Sequence, residues 1–117
     1  MEPKKVRNTR IGPERIIQDK IIAKLRMLQW SVRETHGNLY QWGFPDLYCA
    51  HRQYGTRWVE VKDPARRGNV FTEAQMEYFM ELGSKGVGVW VLTSDHNEEI
   101  AKLHKEHNWY HYLQVMR

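Results

Sequence analysis

Between Leu47 and Lys62 the chain reads as a β-hairpin, and that reading constrains what surrounds it. Leu47-Tyr48-Cys49-Ala50 is a short strand-forming run, Gln53-Tyr54-Gly55-Thr56 carries turn chemistry, and Arg57 to Lys62 brings Trp58, Val59 and Val61. β-Branched and aromatic residues on either side of a Gly-containing turn favour antiparallel pairing. Asp63-Pro64 stops the second strand, because proline has no N–H to give to a ladder. Further along, Val87, Val89, Trp90, Val91 and Leu92 form a run without polar alternation, which predicts a strand buried on both faces. A sheet with such a strand needs helices above and below it.

The flanking sequence supplies them. Pro13 suits a first helical turn, where its missing N–H costs nothing. Ile17, Ile21, Leu25 and Leu28 then make one stripe of a helix ending near Leu28, widened by Ile16 and Ile22. Trp30 to about Thr35 reads as a strand, followed by a turn at His36-Gly37-Asn38. Thr72 and Gln75 stand at capping-box spacing and open a helix from about Glu73 to Leu82, with Met76, Phe79 and Met80 facing inward and Gly83 or Gly86 ending it. Asp95 and Glu98 repeat that spacing and predict a helix to about His107. Trp109 to Val115 fits a strand or a short helix equally. The element order is αβββαβα, an α/β (α+β) sandwich around a mixed sheet.

At 117 residues this is one domain, taken as residues 13–117, behind a basic, flexible tail at 1–12. No apolar run approaches the roughly 20 residues of a membrane span. The basic N-terminus has no apolar stretch behind it to make a secretory leader. A single cysteine, Cys49, excludes an internal disulfide and a Cys-rich zinc site, and points to a reducing, cytoplasmic setting. Cys49 itself reads as a small core residue. The net charge of +4 fits a polyanionic partner, with nucleic acid first among them.

The chemistry concentrates on the hairpin. A turn centred near Tyr54 sets Asp46 opposite Lys62, with Glu60 as its diagonal neighbour. Glu60 and Lys62 are two residues apart and share one sheet face. Three ionisable groups then converge within roughly 5–8 Å. Glu-x-Lys on a wet strand is an ordinary solvated face, but Trp58, Val59 and Val61 make this strand apolar. Two carboxylates in a partly buried place repel each other and lose hydration. A divalent cation such as Mg²⁺ resolves that conflict, since it takes one or two carboxylates plus waters and phosphate oxygens. Lys62 beside it could hold or deprotonate a water and neutralise charge on a phosphate.

Gly43-Phe44-Pro45-Asp46, followed fourteen residues after the aspartate by Glu60-Val61-Lys62, resembles the PD-(D/E)xK nuclease superfamily. More closely, the chain resembles the virus-type replication-repair nuclease (VRR-NUC) family. Such domains carry a Glu at the start of the first helix, a G-x-P-D segment, E-x-K and a Gln in the following helix; Glu14, Asp46, Glu60, Lys62 and Gln75 match in turn. The likeness spans roughly residues 13–94. It implies a restriction-endonuclease-like αβββαβ core and a metal-dependent phosphodiesterase acting on DNA. Asp46 and Glu60 would bind Mg²⁺ or, in its place, Mn²⁺, with the Val61 carbonyl as a further ligand. Lys62 would position the nucleophilic water. Gln75, with Tyr78, would steady the site or touch the phosphate, besides capping its helix. Two roles stay open for Glu14: a metal contact, or a partner for the helix dipole. Gln18, one turn later, either reaches the same site or lies on a solvated face.

The resemblance also implies a DNA-repair-type endodeoxyribonuclease for branched DNA, of the Holliday-junction kind, working as a homodimer, because one site cuts one strand. Trp109, Tyr110, Tyr112, Leu113 and Val115 are interface candidates, with packing inside the monomer as the alternative. Two rival readings are a non-catalytic DNA-binding module on the same fold, and a nuclease subunit acting on flaps or duplex with a helicase partner. Arg66, Arg67, Lys4, Lys5, Arg7 and Arg10 are candidate phosphate contacts. Tyr40, Trp42 and Phe44 could stack on unpaired bases or pack in the core. His104, His107 and His111 lack the further ligands that zinc requires. No P-loop or dinucleotide fingerprint is present, so no nucleotide cofactor is expected, and no membrane partner.

Overall fold

The computed structural model describes residues 12–35, 43–65 and 70–116, with side chains through residue 113. The tail cations Lys4, Lys5, Arg7 and Arg10, the turn at 36–38, Tyr40 and Trp42, and Arg66 and Arg67 lie outside the described residues.

Helix α1 runs Pro13–Met27, with Pro13 in its first turn as the sequence predicts. Ile21, Ile22 and Leu25 are buried, and so is Gln18. The apolar stripe closes one turn earlier than expected: Leu28 caps the helix and is 42% exposed, and Ile16 is 52% exposed. Gln29 takes a positive φ of 74°, which turns the chain so that the Trp30 N–H bonds the Leu25 carbonyl at 3.0 Å. Trp30 is thereby buried against the end of the helix and leads into the sheet.

Strands β1 (Ser31–Glu34), β2 (Leu47–His51), β3 (Gly55–Val61) and β4 (Val89–Leu92) form one sheet in the order β1-β2-β3-β4. The first two pairings are antiparallel and β3–β4 is parallel, so the sheet is mixed. Helix α2 (Glu73–Ser84) is the crossover that a parallel pair demands. Its capping box forms as read, with Thr72 and Gln75 each accepting the other's backbone N–H. Gly83 stays inside the helix, and Gly86 at φ 83° takes the left-handed turn that ends it. Phe79 is fully buried, Met76 is half-buried, and Met80, expected inside, is 64% exposed.

Alternation along the strands makes two cores. Val32, Leu47, Cys49, Val59, Val61, Trp90 and Leu92 meet α1 on one face. Val89 and Val91 meet Phe71, Phe79 and Trp109 on the other. All four residues of β4 are buried, as its unbroken apolar run requires.

The C-terminal third departs most from the sequence reading. No Asp95–Glu98 capping box forms: His96 is the N-cap of the short helix α3 (Asn97–Ile100), and the chain tightens to a 3₁₀ turn over Ala101–His104. Glu99 supplies the restraint instead, accepting the Thr93 N–H at 3.0 Å and pairing with Lys102 at 2.6 Å. Trp109–Met116 is 3₁₀ helix, not strand. Trp109, an interface candidate in sequence, is buried in the monomer between Phe71 and Phe79, with Tyr112 and Leu113 packed beside it. Asn108 takes the place of a fifth strand: its amide bonds both N–H and C=O of Val91 at 2.7 and 3.3 Å. Among the described residues no helix is long and apolar enough to cross a membrane.

Candidate active site

The hairpin register differs from the expected one by two residues. His51 pairs with Gly55 and Leu47 with Val59, so the turn centres on Gln53, not Tyr54. Gly55, at φ 82°, supplies the left-handed residue that closes this three-residue loop. Asp46 therefore follows the register to Glu60 instead of facing Lys62. A shift of two keeps every side chain on its predicted face, and the three groups still converge.

Asp46 is fixed from several sides. Gly43 has φ 83°, and a Cβ there would come 2.5 Å from the Ala74 carbonyl oxygen, so only glycine lets the loop lie on α2. The Thr35 hydroxyl donates to the Pro45 carbonyl at 2.7 Å, and the Thr35 N–H donates to the Asp46 carbonyl at 2.9 Å. The aspartate Oδ2 then accepts the Val61 N–H at 2.8 Å. Thr35 has no motif signal. Only its place at the end of β1, opposite the start of β2, could have marked it.

Glu60 lies on β3 under α2 and is 1% exposed. Its Oε2 accepts from the Gln75 amide at 2.7 Å and pairs with Lys62 Nζ at 3.0 Å. Its Oε1 is buried and has no hydrogen-bond partner among the described residues. Burial first, and the Asp46 carboxylate second, push the Glu60 carboxyl up to about 8, against the opposing pull of Lys62 and Gln75. Lys62 is 5% exposed; its ammonium donates to Gln75 Oε1 at 3.3 Å and lies 5.5 Å from the centre of the Phe71 ring. The same Gln75 Oε1 accepts the Thr72 N–H at 3.0 Å. One side chain thus caps the helix and links Glu60 to Lys62. The capping role expected of Gln75 is present, together with its bond to Glu60.

Two carboxylates face one ammonium here, and one carboxylate oxygen is orphaned in a buried place. That donor set fits a hard divalent cation. Among the described residues no three of His, Cys, Asp and Glu stand close enough to hold a metal, so Asp46 and Glu60 would be its two carboxylates. Glu14 lies half-buried in the first turn of α1. Gln18 is not on a solvated face: it is buried and donates to Glu34 Oε1 at 3.2 Å. Tyr78 stacks on Phe44 with ring centres 5.1 Å apart. His104 stacks on Tyr54 and His107 packs edge-on against Trp90, so the histidines are ring contacts in the fold. Cys49 is fully buried, and burial pushes its thiol up to about 12, as suits a core residue.

A solved structure described as "VRR_NUC domain" matches this geometry with a TM-score of 0.61, at 22% sequence identity, over 80% of this chain and 95% of that one. The chain has the VRR_NUC fold. No protein-family profile and no curated protein sequence matches it. In VRR_NUC terms the likeness carries the αβββαβ core and the mixed sheet. The grouping of Asp46, Glu60 and Lys62 is read from this chain's own geometry.

Proposed function

We propose that this VRR_NUC-fold chain is a metal-dependent endodeoxyribonuclease that hydrolyses phosphodiester bonds in branched DNA of the Holliday-junction kind, as a homodimer. One observation carries the reading: a fully buried Glu60, braced on one oxygen by Gln75 and Lys62 and without a partner on the other among the described residues, beside the anchored Asp46. Stability alone would not select it, because an ionised buried carboxylate with an open oxygen is costly.

Asp46, Glu60 and the Val61 carbonyl would hold Mg²⁺ or Mn²⁺, with Glu14 reaching the ion only through water. Bound there, the ion would supply Lewis-acid stabilisation of phosphate charge and a more acidic water. The chain's own groups do the rest. Gln75 fixes Glu60 Oε2 and keeps the carboxylate from turning. Lys62 Nζ orients the attacking water and neutralises charge on the non-bridging phosphate oxygens. Water oxygen attacks phosphorus and the P–O3′ bond breaks; the attacking water gives one proton to solvent, the leaving O3′ takes one from solvent, and the ends are a 5′-phosphate and a 3′-hydroxyl. Gln75 and Tyr78 hold α2 against the substrate side, and Arg66, Arg67 and the tail cations Lys4, Lys5, Arg7 and Arg10 would take phosphates. Each copy cuts one strand, so symmetric resolution of a four-way junction takes two.

The test is cleavage of end-labelled four-way junction, flap and linear duplex by wild type and Lys62→Ala, with Mg²⁺, Mn²⁺ or chelator. Wild type should cut the branched substrates only with metal, and Lys62→Ala should lose at least about a hundredfold in rate. Binding without cutting in both metals would overturn the nuclease reading.

A further inference from the structure

The sheet is covered unequally. Helix α1 packs along one face, while on the other α2 and the C-terminal 3₁₀ segment cover β3 and β4. Among the described residues, the β1–β2 half of that second face is the more exposed. Its residues follow from the register. Arg33, Tyr48, Trp58 and Val89 form one row across the four strands, and Ser31, Ala50 and Thr56 form the next. Arg33, Ser31 and Thr56 are exposed, Tyr48 is 37% exposed, and Trp58 and Ala50 are half-buried. Tyr48 leans on Trp58 at 4.9 Å, and Trp58 meets Phe44 edge-on at 5.6 Å. The row beyond Tyr48–Trp58 in the other direction is Asp46–Glu60. One sheet repeat, about 7 Å, separates them.

From this placement we infer that the open face of β1–β3 is a stacking shelf for unpaired nucleotides adjoining the scissile phosphate, with Tyr48 under a base and Arg33 on the backbone. The inference rests on the nuclease reading for its choice of polynucleotide. A strand whose phosphate sits at Asp46–Glu60 must lay its next nucleotide within reach of the neighbouring row. That row offers an aromatic ring with Trp58 behind it, the means by which proteins hold unstacked bases without reading sequence. The floor beyond, Ser31, Ala50 and Thr56, is small enough to admit a flat ring. Charge agrees: β1 and β2 place no carboxylate on the shelf, because Glu34 is turned to the opposite face and paired with Arg15 at 2.8 Å. A paired duplex offers no free base face to such a shelf, so substrates with a gap, flap or open junction arm are favoured.

The experiment measures binding of a labelled oligothymidylate by fluorescence anisotropy in chelator, over a salt series, for wild type, Tyr48→Ala, Tyr48→Phe and Arg33→Gln. Tyr48→Ala should weaken binding about ten- to a hundredfold. Tyr48→Phe should retain it, and Arg33→Gln should lower the salt slope by about one. With Mg²⁺, Tyr48→Ala should also lose the preference for a gapped over a fully paired substrate. If Tyr48→Ala binds the oligonucleotide as wild type does, the shelf is wrong, whatever the cleavage result. If that variant instead lowers the mass seen by light scattering and leaves oligonucleotide affinity alone, a second copy occupies the face and the inference is overturned. Tyr48-dependent binding by a protein that cuts no DNA would support the shelf and overturn the nuclease reading.

Discussion

Glu60→Gln should stabilise the metal-free protein and abolish its chemistry, and the two effects have one cause. The carboxyl is pushed from 4.5 up to about 8 by burial and by Asp46. The folded state therefore binds its proton more tightly than the unfolded state does. The stability this contributes is fully present below about pH 4.5 and is lost as pH rises through about 8. At about 1.4 kcal/mol per pH unit the ceiling is roughly 5 kcal/mol, a large part of the 5–15 kcal/mol that holds a domain of this size together. Glutamine keeps the shape and an oxygen to accept from Gln75 or Lys62, but never carries the charge. Chemical denaturation of both proteins in chelator, from about pH 5 to 8, reads the effect as the difference between their pH profiles. The variant's advantage should be about 1 kcal/mol near pH 5 and about 4 kcal/mol near pH 8. Added Mg²⁺ should raise the stability of wild type by mass action, about 2.7 kcal/mol at a hundred times its dissociation constant, and should leave the variant unmoved. A difference that is flat across pH, or equal stabilisation of both by Mg²⁺, would refute the reasoning.

Three further outcomes follow from the same geometry. Thr72→Ala removes half of the capping box and should cost about 1 kcal/mol in thermal denaturation while leaving cleavage within a few fold; Gln75→Ala releases Glu60 Oε2 and Lys62 as well, so its rate loss should exceed that of Thr72→Ala by at least about tenfold. Equal rates would confine Gln75 to capping. Gly43→Ala meets both a positive φ and the Ala74 carbonyl, and should cost about 1–3 kcal/mol and lower Mg²⁺ affinity by calorimetry, since Asp46 must move with the loop; unchanged affinity would show that the loop does not position Asp46. Asn108→Ala strips both Val91 backbone groups of their partner at the sheet edge, and should cost about 1–3 kcal/mol in denaturant unfolding and speed exchange of the Val91 amide. Protection equal to wild type would refute that role.

The sheet was legible because its signals are local. Gly55 announces the hairpin, Val89–Leu92 announces a strand covered on both faces, and Thr72 with Gln75 announces where α2 starts. The errors share a physical origin in competition between partners that spacing cannot rank. Asp95 and Glu98 have capping-box spacing, but Glu99 reaches the Thr93 N–H and Lys102, and the chain tightens to 3₁₀ instead. Met80 has helical spacing with Met76, but α2 covers only half of the sheet face and leaves that side in solvent. Asn108 looks like a loop residue, and its pairing with Val91 exists only once β4 has become an edge.

The site was legible for a different reason. The observed register lies two residues from the one that the turn at Tyr54 predicts, and Asp46, Glu60 and Lys62 still meet, because face depends on parity and a shift of two preserves it. What sequence could not supply was the depth of Glu60. Alternation places Glu60 and Lys62 on one face, yet the same alternation describes a solvated strand, and only the length and path of α2 decide between them. Once Phe71 and Phe79 close over β3 and β4, the Glu-x-Lys pair has no water to fall back on. Gln75 gives its amide N–H to one carboxylate oxygen, Glu60 Oε2, while its own oxygen accepts from Thr72 and Lys62. The second oxygen of Glu60 has no donor among the described residues, and that open oxygen is the feature on which the proposed cation site rests.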